Sequence, residues 1–464
     1  MSHAQLELDR RLSLLAGGQG QSIRLGLDRI RRVAQAMGLP LDSRGDVRLS
    51  CPTVVVAGTN GKGSTCALLA SIAGEAGYRT AVYTSPHLLH FCERLVVGGQ
   101  QSSPSAWLEG LEAVEEGRRR LQTDQGLQES LTFFEVVSLA AFYLVWRDPP
   151  DLAIFEIGLG GRLDAVNLLA NDVAVLTSVD LDHQAYLGSS REAIGAEKAH
   201  VARPQTPFIV ADPLPPQSVV SVAEQLGADV WWFGQDFNFQ GDRQQWSWAG
   251  RGQRRNAMAY PALRGANQLL NASAALAVFG ALKDRLHISQ QAVRQGLSMV
   301  SLPGRFQVLP GQPAVVLDVA HNPHAAAVLG ANLDQMGFFP QTIGVVGLLK
   351  DKDLEGVMER LVGRIDHWCL ADLDPAETAG RAASAQDLSR ALQAVQARQP
   401  DGGRPGVGPA TMSLHPTAAA AIAHAASLVE SGDRIVVFGS FHTVANGWQA
   451  AHRIGHAPHA PSAH

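Results

Sequence analysis

Val54-Val55-Val56 run without interruption into Ala57-Gly58-Thr59-Asn60-Gly61-Lys62-Gly63-Ser64-Thr65, and Cys66-Ala67-Leu68-Leu69-Ala70-Ser71-Ile72 continues with apolar residues at helical spacing. This order reads as a buried strand, a glycine turn and a helix N-terminus. Such a turn aims backbone N–H groups and the positive end of a helix dipole at one point. Glycines let the backbone approach an oxyanion, Lys62 adds a mobile charge for phosphates, and Ser64 or Thr65 offers a hydroxyl to Mg²⁺. The spacing is not that of a standard P-loop, since Val56 stands six before Lys62 and Gly63 separates Lys62 from Ser64. A ligand-free loop is the alternative. The strand before and helix after favour an ATP site built from Thr59, Asn60, Gly61, Lys62, Gly63 and Ser64.

With 464 residues the chain exceeds what one hydrophobic core usually serves, so two domains are expected. Its formal charge of -5 comes without a long basic run, which argues against a nucleic-acid partner. Cys51, Cys66, Cys92 and Cys369 are widely spaced, which argues against a zinc site or a disulfide framework. Charges in Glu7-Leu8-Asp9-Arg10-Arg11 and the lack of a long apolar run argue against a signal peptide and a membrane span. A cytoplasmic protein is expected.

Further along, the apolar stripe Leu25, Leu27, Ile30, Val33 and Met37 predicts a helix ending near Gly38. Thr84-Ser85-Pro86-His87-Leu88 follows a short strand, and Pro86 forces an extended or turn geometry that presents the Ser85 hydroxyl at a strand end. Strand ends are where open α/β sheets bind ligands, although a plain turn explains the motif too. In Leu131-Thr132-Phe133-Phe134-Glu135, Thr132 and Glu135 have capping-box spacing.

Strand Leu152–Ile157 carries Glu156, a carboxylate that is costly in an apolar run unless paired or metal-bound. After a phosphate loop, an acid at a strand end is the usual partner of nucleotide-bound Mg²⁺; a buried salt bridge is the alternative. Strand Val173–Val179 leads to Asp180-Leu181-Asp182-His183, and a helix containing Glu197-Lys198 follows. The segment from Trp231 to Arg255, with Trp231, Trp232, Trp246 and Trp248, reads as strand pairs on a domain flank, with a stacking surface as the alternative. Asn271, near the start of an Ala-rich helix, is either a cap or a ligand contact. Pro303-Gly304 breaks the chain between domains. Beyond it lie the strand end Leu317-Asp318-Val319-Ala320-His321-Asn322-Pro323-His324 and the last strand and turn, Ile435 to Val444 with Gly439-Ser440.

Gly58–Thr65 resembles the phosphate loop of the Mur ligase superfamily. The motifs that follow resemble its folylpolyglutamate and dihydrofolate synthase branch, bacterial bifunctional members above all, from residue 22 to 447. The resemblance implies one Mg²⁺ on Ser85 and Glu156, and a second on Glu156, His183 and a carboxylated Lys198. It implies a pterin site at Ile23, Arg24 and Leu25, at Thr132, Phe133, Phe134 and Glu135, and at Leu163, Asp164 and Ala165. Asn271 would contact adenine, Arg305 the phosphates and Asp318 the ATP, while His321 and Ser440 would serve the glutamate. Lys62, His183, Lys198, Arg305 and His321 form the implied catalytic set. A neutral lysine can add CO₂ to become a carbamate, whose oxygens suit Mg²⁺. The chain departs from the family pattern at Arg24, at Val166 in place of threonine and at His200 in place of glycine.

The expected architecture is α/β: a P-loop-like Mur ligase ATPase domain with a mostly parallel sheet (1–302), a smaller Rossmann-like domain (303–455) and a disordered tail (456–464). The expected activity is ATP-dependent joining of L-glutamate to 7,8-dihydropteroate or tetrahydrofolate through an acyl phosphate, by a monomer whose partners are these small molecules. Placing ATP and glutamate on different domains makes domain closure a condition of chemistry. A ligase acting on a UDP-linked sugar peptide and a non-catalytic nucleotide-binding protein are the alternatives.

Overall fold

The computed structural model describes residues 2–18, 25–242, 244–265, 267–399 and 409–455. Ile23, Arg24 and the tail from residue 456 lie outside the described residues. The chain sorts into two compact units, one built from the residues up to Ala262 with Gln268–Val300, the other from Leu263–Asn267 with the residues from Ser301 onward. No helix among the described residues is long and apolar enough to cross a membrane.

The first unit is built on β1 (Thr53–Ala57), β2 (Thr80–Tyr83), β3 (Leu95–Val97), β4 (Gln100–Gln101), β5 (Leu152–Glu156), β6 (Val173–Leu176), β7 (Pro207–Val210) and β8 (Asp229–Trp232). These form one sheet in the order β4-β3-β2-β5-β1-β6-β7-β8. From β2 to β8 every pairing is parallel, and β3 and β4 add an antiparallel edge. β1 lies between β5 and β6, and every residue of all three is buried. That burial on both faces is why their sequences are continuous apolar runs and not alternating ones. Val56 pairs with Glu156 and Ala57 with Leu176, so the carboxyl ends of the three strands come level. Ligands of open α/β sheets bind at such ends.

The helix Lys62–Glu75 follows β1 and buries Cys66, Leu68, Leu69, Ile72 and Ala73. The stripe that begins at Leu25 overreaches: the helix runs Asp28–Ala36, and Leu25 lies outside it and exposed. Gly26, at φ 148°, holds a conformation that breaks a helix there. The tryptophan-rich segment forms an antiparallel sheet of β9 (Phe237–Gly241), β10 (Trp246–Gly250) and β11 (Gln253–Met258), with Trp246 and Trp248 buried. The strand reading therefore holds over the stacking surface for these two rings.

The second unit contains β12 (Gln307–Leu309), β13 (Ala314–Leu317), β14 (Thr342–Val346), β15 (His367–Ala371), β16 (Thr411–His415) and β17 (Arg434–Phe438). Their order is β12-β13-β17-β14-β15-β16, parallel except for β12. Val315, Val316, Ile343, Val345, Val436 and Phe438 are fully buried, and helices such as Pro323–Gln335, Ala385–Arg398 and Ala418–Leu428 follow its strands.

Candidate active site

Gly58 follows β1 directly at φ 144°, and a Cβ at this position would collide with the Thr177 hydroxyl. Only glycine lets the loop lie so close to the end of β6. Thr177 and Ser178 then fasten the loop: both hydroxyls donate to the Asn60 carbonyl, at 2.8 and 3.1 Å, and the Thr59 N–H donates to the Ser178 carbonyl at 2.6 Å. Gly61, at φ 93°, is the residue before the helix, and a Cβ there would lie 2.6 Å from Asn271 Oδ1. Asn271 is buried inside the helix Gln268–Ala281, so it is not that helix's cap; its amide faces the glycine loop. Ser64 is buried in the first turn, with Gln268 Nε2 3.5 Å from its hydroxyl.

Two lysines converge on one carbonyl. Lys62 Nζ donates to Gly58 O at 3.1 Å and Thr59 O at 3.2 Å, and Lys198 Nζ donates to Gly58 O at 2.8 Å across a separation of 140 residues. Lys198 is 5% exposed. Burial, and then the Lys62 charge, pull its ammonium down from 10.5 to about 7; Asp182 and Asp164 oppose this. The turn carrying Lys198 is pressed against Gly161, where a Cβ would lie 2.5 Å from Glu197 O. His200 ends that helix at φ -69°, with Nδ1 2.7 Å from the Ala196 carbonyl. A right-handed cap of this kind needs no glycine, which accounts locally for the departure at His200.

Glu156 ends β5, 6% exposed, and its Oε2 accepts from the Ser85 N–H at 3.3 Å. Ser85 sits in the turn after β2, ahead of a cis peptide bond to Pro86. His183 is left-handed at φ 51°, a strained conformation for a non-glycine residue, and its N–H donates to Asp182 Oδ1 at 2.8 Å. Among the described residues no three His, Cys, Asp or Glu side chains are placed to hold a metal ion. The metal ligands expected from the sequence are of another kind: a carboxylate, a serine hydroxyl, an imidazole and a buried lysine whose ammonium is pulled down to about 7. Carboxylate and hydroxyl oxygens fit a hard divalent cation, and an uncharged amine at Lys198 fits conversion to a carbamate.

On the other side of β5, Thr132 and Glu135 form the capping box of the helix Phe133–Arg147, and Glu135 also pairs with Arg29 Nη2 at 2.6 Å. Phe134 lies over Gly158, where a Cβ would be 2.6 Å from its ring. Asp164 accepts from Leu159 N–H at 2.8 Å and Val166 N–H at 2.9 Å, and burial raises its carboxyl to about 7. It caps the short turn Ala165–Leu168, in which Val166 is fully buried. The Phe-Phe-Glu and Asp-Ala motifs thus meet through the glycine loop between them.

In the second unit, Asp318 accepts from the Phe306 and Ala320 N–H groups at 2.8 and 2.7 Å, and burial raises its pKa against the opposing charge of Arg305. The Arg305 guanidinium lies 4.9 Å over the Phe441 ring. His321 Nδ1 is 2.8 Å from the Val319 carbonyl, which requires the proton on Nδ1. The Ser440 hydroxyl is buried against Thr443, whose own hydroxyl donates to Gly347 O at 2.6 Å.

The Mur ligase middle domain matches residues 56–279, and the Mur ligase glutamate ligase domain matches residues 304–441. The dihydrofolate synthase/folylpolyglutamate synthase of Escherichia coli K12 is 36% identical over 436 residues, covering 94% of this chain and 93% of that protein. The chain belongs to the dihydrofolate synthase/folylpolyglutamate synthase family. Among solved structures of this family, E. coli FolC in complex with DHPP and ADP has a TM-score of 0.84 at 34% identity, over 97% of this chain and 98% of that one. A bifunctional folylpolyglutamate synthase/dihydrofolate synthase with Mn, AMPPNP and L-glutamate bound has a TM-score of 0.81 at 37% identity, over 96% of this chain and 98% of that one. Thr177 and Ser178 as loop fasteners and Arg29 as the partner of Glu135 were not foreseen from the sequence, and for Arg29 the local sequence gives no sign. The hydroxyls at the end of β6, level with a glycine loop, were the available signal for the first pair.

Proposed function

We propose that the chain joins L-glutamate to 7,8-dihydropteroate and to reduced folates such as tetrahydrofolate, using ATP. The observation that carries this reading is the convergence of Lys62 and Lys198 on Gly58 at the sheet end that also holds Glu156, in a chain that matches both Mur ligase domains.

In this reading the acceptor carboxylate attacks the γ-phosphorus of ATP, the bond to ADP breaks, and an acyl phosphate forms. The glutamate amine then attacks the acyl carbon, phosphate leaves and the amine loses a proton. Lys62 exchanges its two loop carbonyls for phosphate oxygens, and Arg305 adds a second positive charge on the phosphates. Asn271 contacts the adenine, and Asp318 contacts the nucleotide. His321 takes up the amine proton, its ring oriented by the bond from Nδ1 to Val319 O. The residues Leu25, Thr132–Glu135 and Leu163–Ala165 shape the pterin side, and Ser440 the glutamate side. Lys198, as a neutral amine, adds CO₂ and releases a proton to become a carbamate. Ser85, Glu156, His183 and this carbamate would hold two Mg²⁺ ions, whose charge offsets the repulsion between the triphosphate and the acceptor carboxylate. The protein works as a cytoplasmic monomer, without nucleic-acid or membrane partners.

Product analysis by mass spectrometry tests the reading, with ATP, Mg²⁺, L-glutamate and one acceptor per reaction. Dihydropteroate and tetrahydrofolate should each yield a glutamyl amide with one ADP per bond. Turnover only with a UDP-linked sugar peptide, or ATP binding with no glutamate-dependent product, would contradict it.

A further inference from the structure

Three histidines gather on one face of the outer edge of the second unit's sheet. His367 opens β15, His415 closes β16, and His424 sits on the helix Ala418–Leu428 that covers them. Ring centroids are 5.9 Å apart for His367 and His424, and 4.9 Å for His415 and His424. Hydroxyls thread between them: His367 Nδ1 lies 2.7 Å from Thr411 Oγ1, and Ser413 Oγ lies 2.9 Å from His367 Nε2 and 2.8 Å from His415 Nε2. The pairings His367 with Thr411, Cys369 with Ser413 and Ala371 with His415 put this chain on a single face, with the Cys369 thiol 3.7 Å from Ser413 Oγ.

A consistent set of donors exists when the rings are neutral. Thr411 donates to His367 Nδ1, His367 Nε2–H donates to Ser413, and Ser413 donates to His415 Nε2. Hydroxyls can reverse to accommodate one added proton, but two or three imidazolium rings in contact repel each other. Among the described residues no carboxylate is hydrogen-bonded to any of the three rings. The acids nearest in sequence face elsewhere, Asp366 accepting from Thr342 N–H and Asp372 from Ala385 N–H. The charges that act on His367 are those of His424 and His415, and the charge that acts on His415 is that of His424. β16 is the edge strand, held by β15 and by two helices, Ala418–Leu428, which carries His424, and Ala385–Arg398, whose Ser389 reaches Met412.

We propose that this cluster is an acid-released latch: the neutral His367 and His415 rings, packed under His424, tie β16 and the helix Ala418–Leu428 to the sheet, and protonation of His367 and His415 frees that edge. The sign follows from linkage. Burial, then the neighbouring rings, lower the folded-state pKa values of His367 and His415 below 6.5, so the opened edge binds more protons and the latch weakens as pH falls below that value. The same enzyme would then have an edge that is closed at neutral pH and open under acid stress.

Amide hydrogen exchange between pH 7.5 and pH 5.5, corrected for intrinsic rates, is the test. In the parent, amides of residues 411–415 should lose protection by at least about tenfold while those of β14 stay unchanged. In His424→Gln the loss should shrink to within about threefold, and His415→Gln, which keeps a polar group for Ser413, should behave alike and serves if the first variant does not fold. Equal losses in parent and variants, no loss in the parent, or a loss shared by β14 would overturn the proposal.

Discussion

Lys198→Met should yield a protein that resists denaturation better than its parent and makes no amide. The Lys198 ammonium is pulled from 10.5 to about 7, first by burial and then by Lys62, a cost of about 5 kcal/mol at full value and about 2–4 kcal/mol once the surroundings relax. An unfolded chain keeps that proton up to pH 10.5 and the folded chain only up to about 7. The penalty is therefore complete at and below pH 7 and fades as pH rises toward 10.5. Methionine fills the same space without charge. The Gly58 carbonyl keeps a donor, because Lys62 also bonds it. Metal-free chemical denaturation at pH 7 and pH 10 should show a gain at the first pH that nearly disappears at the second. Activity should fall by at least about a thousandfold if the carbamate is required. A less stable variant, or one that still turns over, would mean that Lys198 is an ordinary structural lysine.

Lys62→Met should reduce turnover by roughly a hundred- to a thousandfold, the usual loss when one preorganised charge is removed from a reacting group. It should also disturb Lys198. The Lys62 charge is the second cause of the low Lys198 pKa, so its removal lets the Lys198 ammonium persist to higher pH. Uptake of labelled bicarbonate into a carbamate signal, followed by NMR against pH, should therefore need a higher pH in the variant than in the parent. Lys62→Arg should not restore the rate, since a planar guanidinium does not replace a compact ammonium at this site. An unchanged bicarbonate profile would separate the two lysines and leave Lys62 with a phosphate role alone.

What the sequence disclosed and what it withheld divide along a physical line. Local features were readable: Val54-Val55-Val56 before the glycine turn, the Thr132–Glu135 capping box, and the apolar runs of β5, β6 and β13. Each is decided by neighbours within a turn or a strand. Contacts between distant segments were not readable from residue patterns. The bond from Lys198 to Gly58 spans 140 residues, and the ion pair of Arg29 with Glu135 spans 106. Only the strand order β5-β1-β6 brings the first pair together. The stripe at Leu25 shows the opposite error, a periodic pattern extended through a glycine whose conformation ends it. The histidine cluster of β15, β16 and the Ala418–Leu428 helix left no sequence signal at all, because its members come from three separate elements.

The account turns on transfer of phosphate to the acceptor carboxylate. Dihydropteroate carrying heavy oxygen in both carboxylate positions, turned over with ATP and L-glutamate, measures it directly. The account predicts that each phosphate released carries one heavy oxygen atom and each amide product retains the other; phosphate free of label would contradict it.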